Sequence, residues 1–288
     1  MNKIKSLFYS FYLKYIGKYI RPSSKPFISG DTFREYCDFV YDEIASFNPK
    51  FVSFGNSVFV KTDLIEFYFK NIHPNISAKY NLVTHNSDLN IDKRFFKYLD
   101  EKILNWFCQN LTTKFSKKIH ILPIGLENRW RFKNGKLSFF KNQLRVKNQK
   151  ENIIFSSFNT NTNTNRADLK NYISEIDFIT NGFGISSKNY KSMLSKSMFN
   201  ICPEGNGLDT HRIWETYALN SIPIVILNNF TNQFKELNLP MIYLNDWSEL
   251  SNYNEKYFIS FYKKTISNSD LVKYSMFEFW KDYIEEKL

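Results

Sequence analysis

An α/β chain of two Rossmann-like domains facing a central cleft is the fold this sequence predicts, and three observations predict it. Short apolar runs that read as buried strands alternate with segments of helical spacing, the pattern of a parallel sheet with βαβ crossovers. The alternation stops in a basic, weakly periodic stretch over 129–150 and then starts again. The two halves are similar in length, and 288 residues suffice for two domains of ordinary size.

The elements follow in order. Residues 1–21 mix Lys3, Lys5, Lys14, Lys18 and Arg21 with Leu7, Phe8, Phe11, Leu13, Tyr15 and Ile16. Lys14 breaks the apolar run and no small-residue cleavage site follows, which disfavours a cleaved signal peptide. Two readings stay open here: a helix packed on the body, or a basic helix lying on an anionic bilayer. The linker RPSSKPFISGD leads to a helix start at Asp31 or Thr32, with Glu35 placed as in a capping box. Phe33, Tyr36, Cys37, Val40, Tyr41 and Ile44 then keep helical spacing. Ser57–Lys61, Tyr80–His85 and Lys118–Ile124 read as strands, and Asp63–Lys70 and Lys97–Asn110 as helices. These make a first domain over 22–128, with 129–150 as the seam.

From Asn152 the alternation resumes. A strand over Asn152–Phe158 is followed by the polar loop NTNTNTN and a helix from about Arg166. The strand DFIT with NGFG, a helix near Ser187–Ser197 and the strand SMFNIC come next. A glycine loop, a helix over Thr210–Leu219 closed by Asn220, and the strand IPIVIL complete a second domain over 151–268. A helix over Ser269–Lys287 occupies the closing segment, 269–288.

Hydrophobic residues make up 43% of the chain, enough for packed cores, and no run reaches the roughly 18 apolar residues of a membrane span. The net charge of +11 points to an anionic partner: a nucleic acid, an anionic membrane or a phosphorylated small molecule. Cys37, Cys108 and Cys202 are odd in number and far apart, which fits buried packing in a reducing, cytoplasmic setting rather than a disulfide framework. A nucleic-acid binder would share the charge and the aromatics, but no RNP, helix-turn-helix or zinc motif occurs.

Chemistry concentrates in ICPEGNGLDTHRIWETYALNSIPIVI, Ile201–Ile226. Pro203 ends a strand, Gly205, Asn206 and Gly207 form a loop that favours tight or left-handed backbone, and Asp209 is placed to cap the next helix. In open α/β sheets, ligands gather at the carboxyl ends of strands, where this loop falls. His211 and Arg212 lie in the first helical turn, where the macrodipole disfavours cations unless an anion is near. A diphosphate would meet free backbone N–H groups and a guanidinium fork there. Glu215 could hold a ribose diol and Glu204 a sugar hydroxyl. An Arg212–Glu215 surface bridge is the plain structural alternative. Asn161, Asn163 and Arg166, after the first strand of the second half, fall at the same ligand edge, or else in a solvated loop; NGFG is a second such loop or a plain turn.

CPEGNGLDTHRIWETYALNSIPIV resembles the donor-site motif of exostosin-like glycosyltransferases, and PSSKPFISGDTFR, VFVKTDLIEFYF, LVTHNSDLNI and LPIGLENR match in the first half. The resemblance spans most of residues 22–226 and is strongest to small members found with surface-polysaccharide genes. It implies the GT-B architecture, a nucleotide-sugar donor bound mainly by the second domain, and a glycan or glycolipid acceptor bound by the first. The E-x7-E spacing of many retaining GT-B enzymes is absent, since Glu204 and Glu215 stand eleven apart. A catalytically silent sugar-binding relative is the alternative to an enzyme.

An inverting transfer needs a base, and Asp31, His85 and Asp88 are the candidates, against helix-capping and Asx-turn roles for the two aspartates. No D-x-D motif occurs and no further ligands stand near His85 and Asp88, so no metal or other cofactor is expected. The expected location is cytoplasmic, with peripheral contact to an anionic membrane through residues 1–21.

Overall fold

The computed structural model describes residues 17–131, 134–146 and 149–288; of the basic segment expected over 1–21, only 17–21 lie within the described residues. The structure is mixed α/β with two five-stranded parallel sheets. The chain divides into two compact units, Met1–Gly135 with Trp280–Leu288, and Lys136–Phe279. That division falls inside the stretch read as a seam.

In the first unit, helices α1 (Gly17–Ile20) and α2 (Gly30–Tyr36) precede strand β1 (Phe39–Tyr41), strand β2 (Ser57–Lys61), helix α3 (Ile65–Asn71) and strands β3 (Tyr80–His85), β4 (Ile103–Cys108) and β5 (Ile119–Ile121). The sheet order is β1-β2-β3-β4-β5. Val58 pairs with Leu82, Leu82 with Trp106 and Trp106 with Ile119, all fully buried, as expected of a parallel sheet covered on both faces. This sequential order has no reversal, unlike the doubly wound Rossmann order.

Three expectations are corrected in this unit. The helix expected to run on to Ile44 stops at Tyr36, because Arg34 turns inward and its Nε donates to Asp42 Oδ2 at 2.6 Å while Val40 joins β1 opposite Phe59. The cap of α2 is Ser29, whose hydroxyl accepts from Thr32 N, so Asp31 and Thr32 sit inside the first turn. The helix expected over Lys97–Asn110 is a 3-10 turn at Lys93–Tyr98 followed by β4. A run such as Ile103–Cys108, buried on both faces, has no strand periodicity to distinguish it from a buried helix.

In the second unit, helix α4 (Ser138–Gln143) occupies the supposed seam. Strand β6 (Asn152–Ser156), helix α5 (Asn165–Ile173), strand β7 (Ile179–Asn181), helix α6 (Ser187–Ser195), strand β8 (Ser197–Ile201), helix α7 (His211–Ala218) and strand β9 (Ile222–Ile226) follow. Asn220, with φ of 55°, ends α7 in the left-handed region. Helix α8 (Thr231–Glu236), strand β10 (Ile242–Leu244) and helix α9 (Glu255–Asn268) were not expected. The single closing helix is instead a 3-10 turn at Leu271–Ser275 and helix α10 (Phe277–Glu285). The sheet order is β10-β9-β8-β6-β7. Among the described residues, no helix is long and apolar enough to cross a membrane.

Candidate active site

The chain leaves β6 for β7 on one side and continues through β8 on the other, so the second sheet reverses direction between β6 and β8. Such a reversal opens a crevice outside the carboxyl ends of those two strands. The loops that leave those ends are 157–164 and 202–210.

One guanidinium ties these loops together. Arg166, in the first turn of α5, donates from Nε to the Glu204 carbonyl at 2.7 Å and from Nη2 to the Pro203 carbonyl at 3.0 Å. Its Nη1 donates to the Asn159 carbonyl at 3.0 Å and to Thr162 Oγ1 at 2.6 Å. Four of the five N–H groups of an arginine are thus used, and Arg166 acts mainly as the brace of both loops. Burial, and then the charge of Arg212, bring its pKa down to about 10.

The first turn of α7 carries the opposite situation. Thr210 is the N-cap residue, yet its side chain makes no capping bond, and its buried Oγ1 has no hydrogen-bond partner. Arg212 Nε is also buried without one. An unpaired buried donor costs about 1–3 kcal/mol, more if charged, and an anion at this helix N-terminus would satisfy both. Arg212 lies 5.8 Å from the centroid of the Tyr190 ring, and the Tyr190 hydroxyl donates to Glu215 Oε2 at 3.0 Å. No ion pair joins Arg212 to Glu215 among the described residues, so the surface bridge is not formed. Asp209 does not cap α7; its Oδ1 accepts from Trp214 Nε1 at 2.9 Å. His211 is the first residue of α7.

Glu204 Oε1 accepts from Asn228 Nδ2 at 2.5 Å, and burial raises the Glu204 pKa. Gly205 N donates to the Gly207 carbonyl at 3.1 Å, closing the loop with Asn206 exposed at its tip. Of the two backbone forms expected here, the loop takes the tight turn and not the left-handed one; among the described residues the left-handed glycines are Gly55, Gly125 and Gly184. A cavity of about 480 Å³ opens beside the loop, walled by Leu169, Tyr172, Leu208, Ile213 and Trp247 and edged by Asn163, Arg166, Glu204 and Asp246. Asn161 does not line it, and neither do Arg212 and Glu215. NGFG forms a turn fastened by Gly182 N to the Ser156 carbonyl and by Ser157 Oγ to the Gly182 carbonyl.

Sequence reasoning missed Thr210, Asn228, Tyr190, Tyr172 and Trp247. Asn228 follows the carboxyl end of β9, so the strand-end rule that singled out Glu204 could have reached it. Tyr190 joins the group only through packing of α6 on α7, which leaves no mark in local sequence.

In the first unit the three proposed bases part company. Asp31 is fully buried; its backbone N–H donates to Asn128 Oδ1 at 2.8 Å and its Oδ1 accepts from Asn86 Nδ2 at 3.3 Å. Asn128 Nδ2 in turn donates to Asn86 Oδ1 at 3.0 Å. Gly30 permits this cluster, since a Cβ there would lie 1.7 Å from Asn86 Oδ1. Asp31 Oδ2 has no partner, and burial lifts the carboxyl to about 6. His85 Nδ1 accepts from Asn86 N and its Nε2 meets the Pro123 carbonyl at 2.9 Å, so both ring nitrogens are held by backbone and His85 is not available as a base. Asp88 is exposed. Among the described residues, no group of three His, Cys, Asp or Glu side chains could hold a metal ion.

Residues 146–286 match the family model of the RXYLT1 C-terminal domain, a glycosyltransferase-related family. No curated protein matches the chain. Among solved structures, similarity is found to an α1,3-fucosyltransferase with GDP-fucose, at 14% identity and a TM-score of 0.37 over 81% of this chain and 71% of that one. It is also found to the GtfA/B complex, at 11% and 0.37 over 82% and 58%. A third is an α-glucosyltransferase in complex with UDP and a 13-mer DNA, at 10% and 0.33 over 78% and 74%. Likeness of this degree positions no residue.

Proposed function

We propose that this protein is a glycosyltransferase of the exostosin-like, GT-B kind that moves a sugar from a nucleotide diphosphate to a glycan or glycolipid in surface-polysaccharide synthesis. The observation that carries the reading is the pair of buried, unpartnered donors, Thr210 Oγ1 and Arg212 Nε, at the N-terminus of α7 beside the sheet reversal. A leaving diphosphate takes its negative charge there, against preorganised donors that need no reorganisation as the sugar departs. The nucleoside occupies the neighbouring cavity, and Glu204, kept in place by Asn228, meets a hydroxyl. No metal is required, because guanidinium and helix amides supply the compensating charge. Asp31 serves as the base that removes the acceptor proton: its buried carboxyl combines an unpartnered oxygen with a pKa raised by burial to about 6. That role requires the acceptor to displace what covers the first turn of α2.

Calorimetry with UDP, GDP and an oligonucleotide, followed by slow hydrolysis of a nucleotide-sugar panel with and without EDTA, tests the reading. Expected are binding of one nucleoside diphosphate in preference to the oligonucleotide, and turnover that EDTA leaves within about twofold. Binding without turnover of any donor would make the protein a silent sugar-nucleotide binder. Binding of the oligonucleotide alone would sink the proposal.

A further inference from the structure

The first unit carries a surface that donor chemistry does not use. The segments 91–98 and 110–118 are laced together beside β4 and β5: Ile91 N donates to the Asn110 carbonyl at 3.0 Å and Thr112 N to the Ile91 carbonyl at 2.9 Å. The Phe96 and Phe115 rings meet edge to face at 6.1 Å. Phe96 is nevertheless 58% exposed, so one apolar ring stands out of a folded, cross-braced surface. Around it, Lys93, Lys97, Lys114 and Lys117 are all exposed. The one carboxylate in the two segments, Asp92, is taken by Arg94 in a two-point pair with distances of 2.9 and 2.7 Å. The positive field reaches the neighbouring strand, where burial, Lys114 and Lys287 together push His120 down to about 4.

We propose that this lysine-ringed surface around Phe96 docks on an anionic lipid bilayer. Four exposed ammonium groups, none of them in an ion pair among the described residues, match a layer of lipid phosphates and carboxylates, although Glu66 and Asp100 stand on the Lys97 side. Lysine stems lie along apolar surface while their charges stay at the headgroups, and a projecting phenyl ring enters the layer just below. Nucleic acid fits less well. The planar fork that grips phosphates two-pronged belongs to arginine, and the arginine present is already spent on Asp92. This surface is made of residues other than those of the donor site and of the basic N-terminal segment.

The test is sedimentation of the full chain with phosphatidylcholine vesicles containing or lacking phosphatidylserine. Lys97→Glu/Lys114→Glu should weaken binding to phosphatidylserine vesicles by about tenfold or more, and Phe96→Ser should weaken it by several-fold. Lys50→Glu/Lys79→Glu makes the same charge change on exposed lysines outside this surface and should cost much less. Nucleotide binding by the second unit and the melting temperature report that each variant is folded. Wild-type vesicle binding in the Lys97/Lys114 and Phe96 variants would overturn the proposal. So would equal losses from the Lys50/Lys79 pair, which would mean that only net charge matters. Loss of RNA binding with vesicle binding intact would assign the surface to nucleic acid instead.

Discussion

Arg212 and Asp31 are each buried at a group that lacks a partner, and each makes a sharp prediction. If Arg212 grips the donor diphosphate, Arg212→Ala lowers kcat/KM by roughly two to three orders of magnitude, about 3–4 kcal/mol. Arg212→Lys recovers only part, because an ammonium cannot form the bidentate fork. Glu215→Gln weakens nucleotide binding in calorimetry if Glu215 reaches the ribose; its bond from Tyr190 makes an unchanged affinity the sign of a purely structural role. Asp31 works through protonation. Its carboxyl titrates at about 6 in the folded protein against 3.8 for the ordinary side chain. Between those values the folded state keeps a proton that the unfolded chain has released, so this group makes stability fall as pH rises through about 4 to 6. Above that window the cost is on the order of 3 kcal/mol. Asp31→Asn should remove the slope, leave the protein at least as stable at pH 7, and abolish turnover whose wild-type rate rises toward pH 6. Denaturation midpoints at pH 4.5 and 7 check the first part; an active Asp31→Asn protein would take the base role away from this residue.

At the scale of elements, Lys150 shows how the second sheet is closed at its amino end. The residue stands just before β6 and is half-buried. Its ammonium donates to the Ser195 carbonyl at the end of α6 at 3.0 Å, to the Leu219 carbonyl at the end of α7 at 2.9 Å, and to Ser221 Oγ at 2.8 Å. Ser221 Oγ donates in turn to the Ser197 carbonyl at 2.7 Å, which links the starts of β8 and β9. Burial draws the Lys150 pKa down to about 7, and three acceptors matched to three N–H groups are what oppose that pull. Lys150→Met should cost about 2–4 kcal/mol in urea unfolding, since it leaves helix-end carbonyls buried and unpaired; a loss under about 0.5 kcal/mol would show that water replaces the ammonium. None of this was legible in the sequence, where Lys150 reads as one more charge in a basic stretch. The strands at Ser57–Lys61, Tyr80–His85 and Ile222–Ile226 were legible, because each is a compact β-branched or aromatic run between polar segments. β1, β4 and β10 were not: they are either three residues long or buried on both faces, and periodicity carries no signal in either case. In the candidate site, Glu204 and Arg212 could be singled out from a strand-to-helix motif. The committed guanidinium of Arg166 and the backbone-held His85 could not, because hydrogen bonds to distant carbonyls are set by tertiary structure alone.

At the scale of the whole chain, the first compact unit is not contiguous: Trp280–Leu288 belong to it, although Lys136–Phe279 form the second. The return is anchored by apolar burial more than by polar bonds. Trp280 is fully buried and Ile284 nearly so. The polar fastenings are modest, with Asn105 Nδ2 donating to the Lys287 carbonyl at 3.1 Å and the Tyr36 hydroxyl to Glu285 Oε1 at 3.4 Å. Because residues 280–288 close the first unit from beyond the second, that unit's stability depends on this returning segment. Trp280→Ala should therefore cost about 3–5 kcal/mol, the range for deleting a large buried aromatic side chain. Tyr36→Phe, which removes the long bond to Glu285, should cost under about 1 kcal/mol. Removing residues 280–288 altogether should expose first-unit strands such as β4 to hydrogen exchange while β8 and β9 keep their protection. Exchange monitored peptide by peptide distinguishes this from the alternative. Equal deprotection of both sheets would mean that the two units unfold as one cooperative block, and unchanged protection in β4 would mean that the C-terminal segment is only laid on the surface.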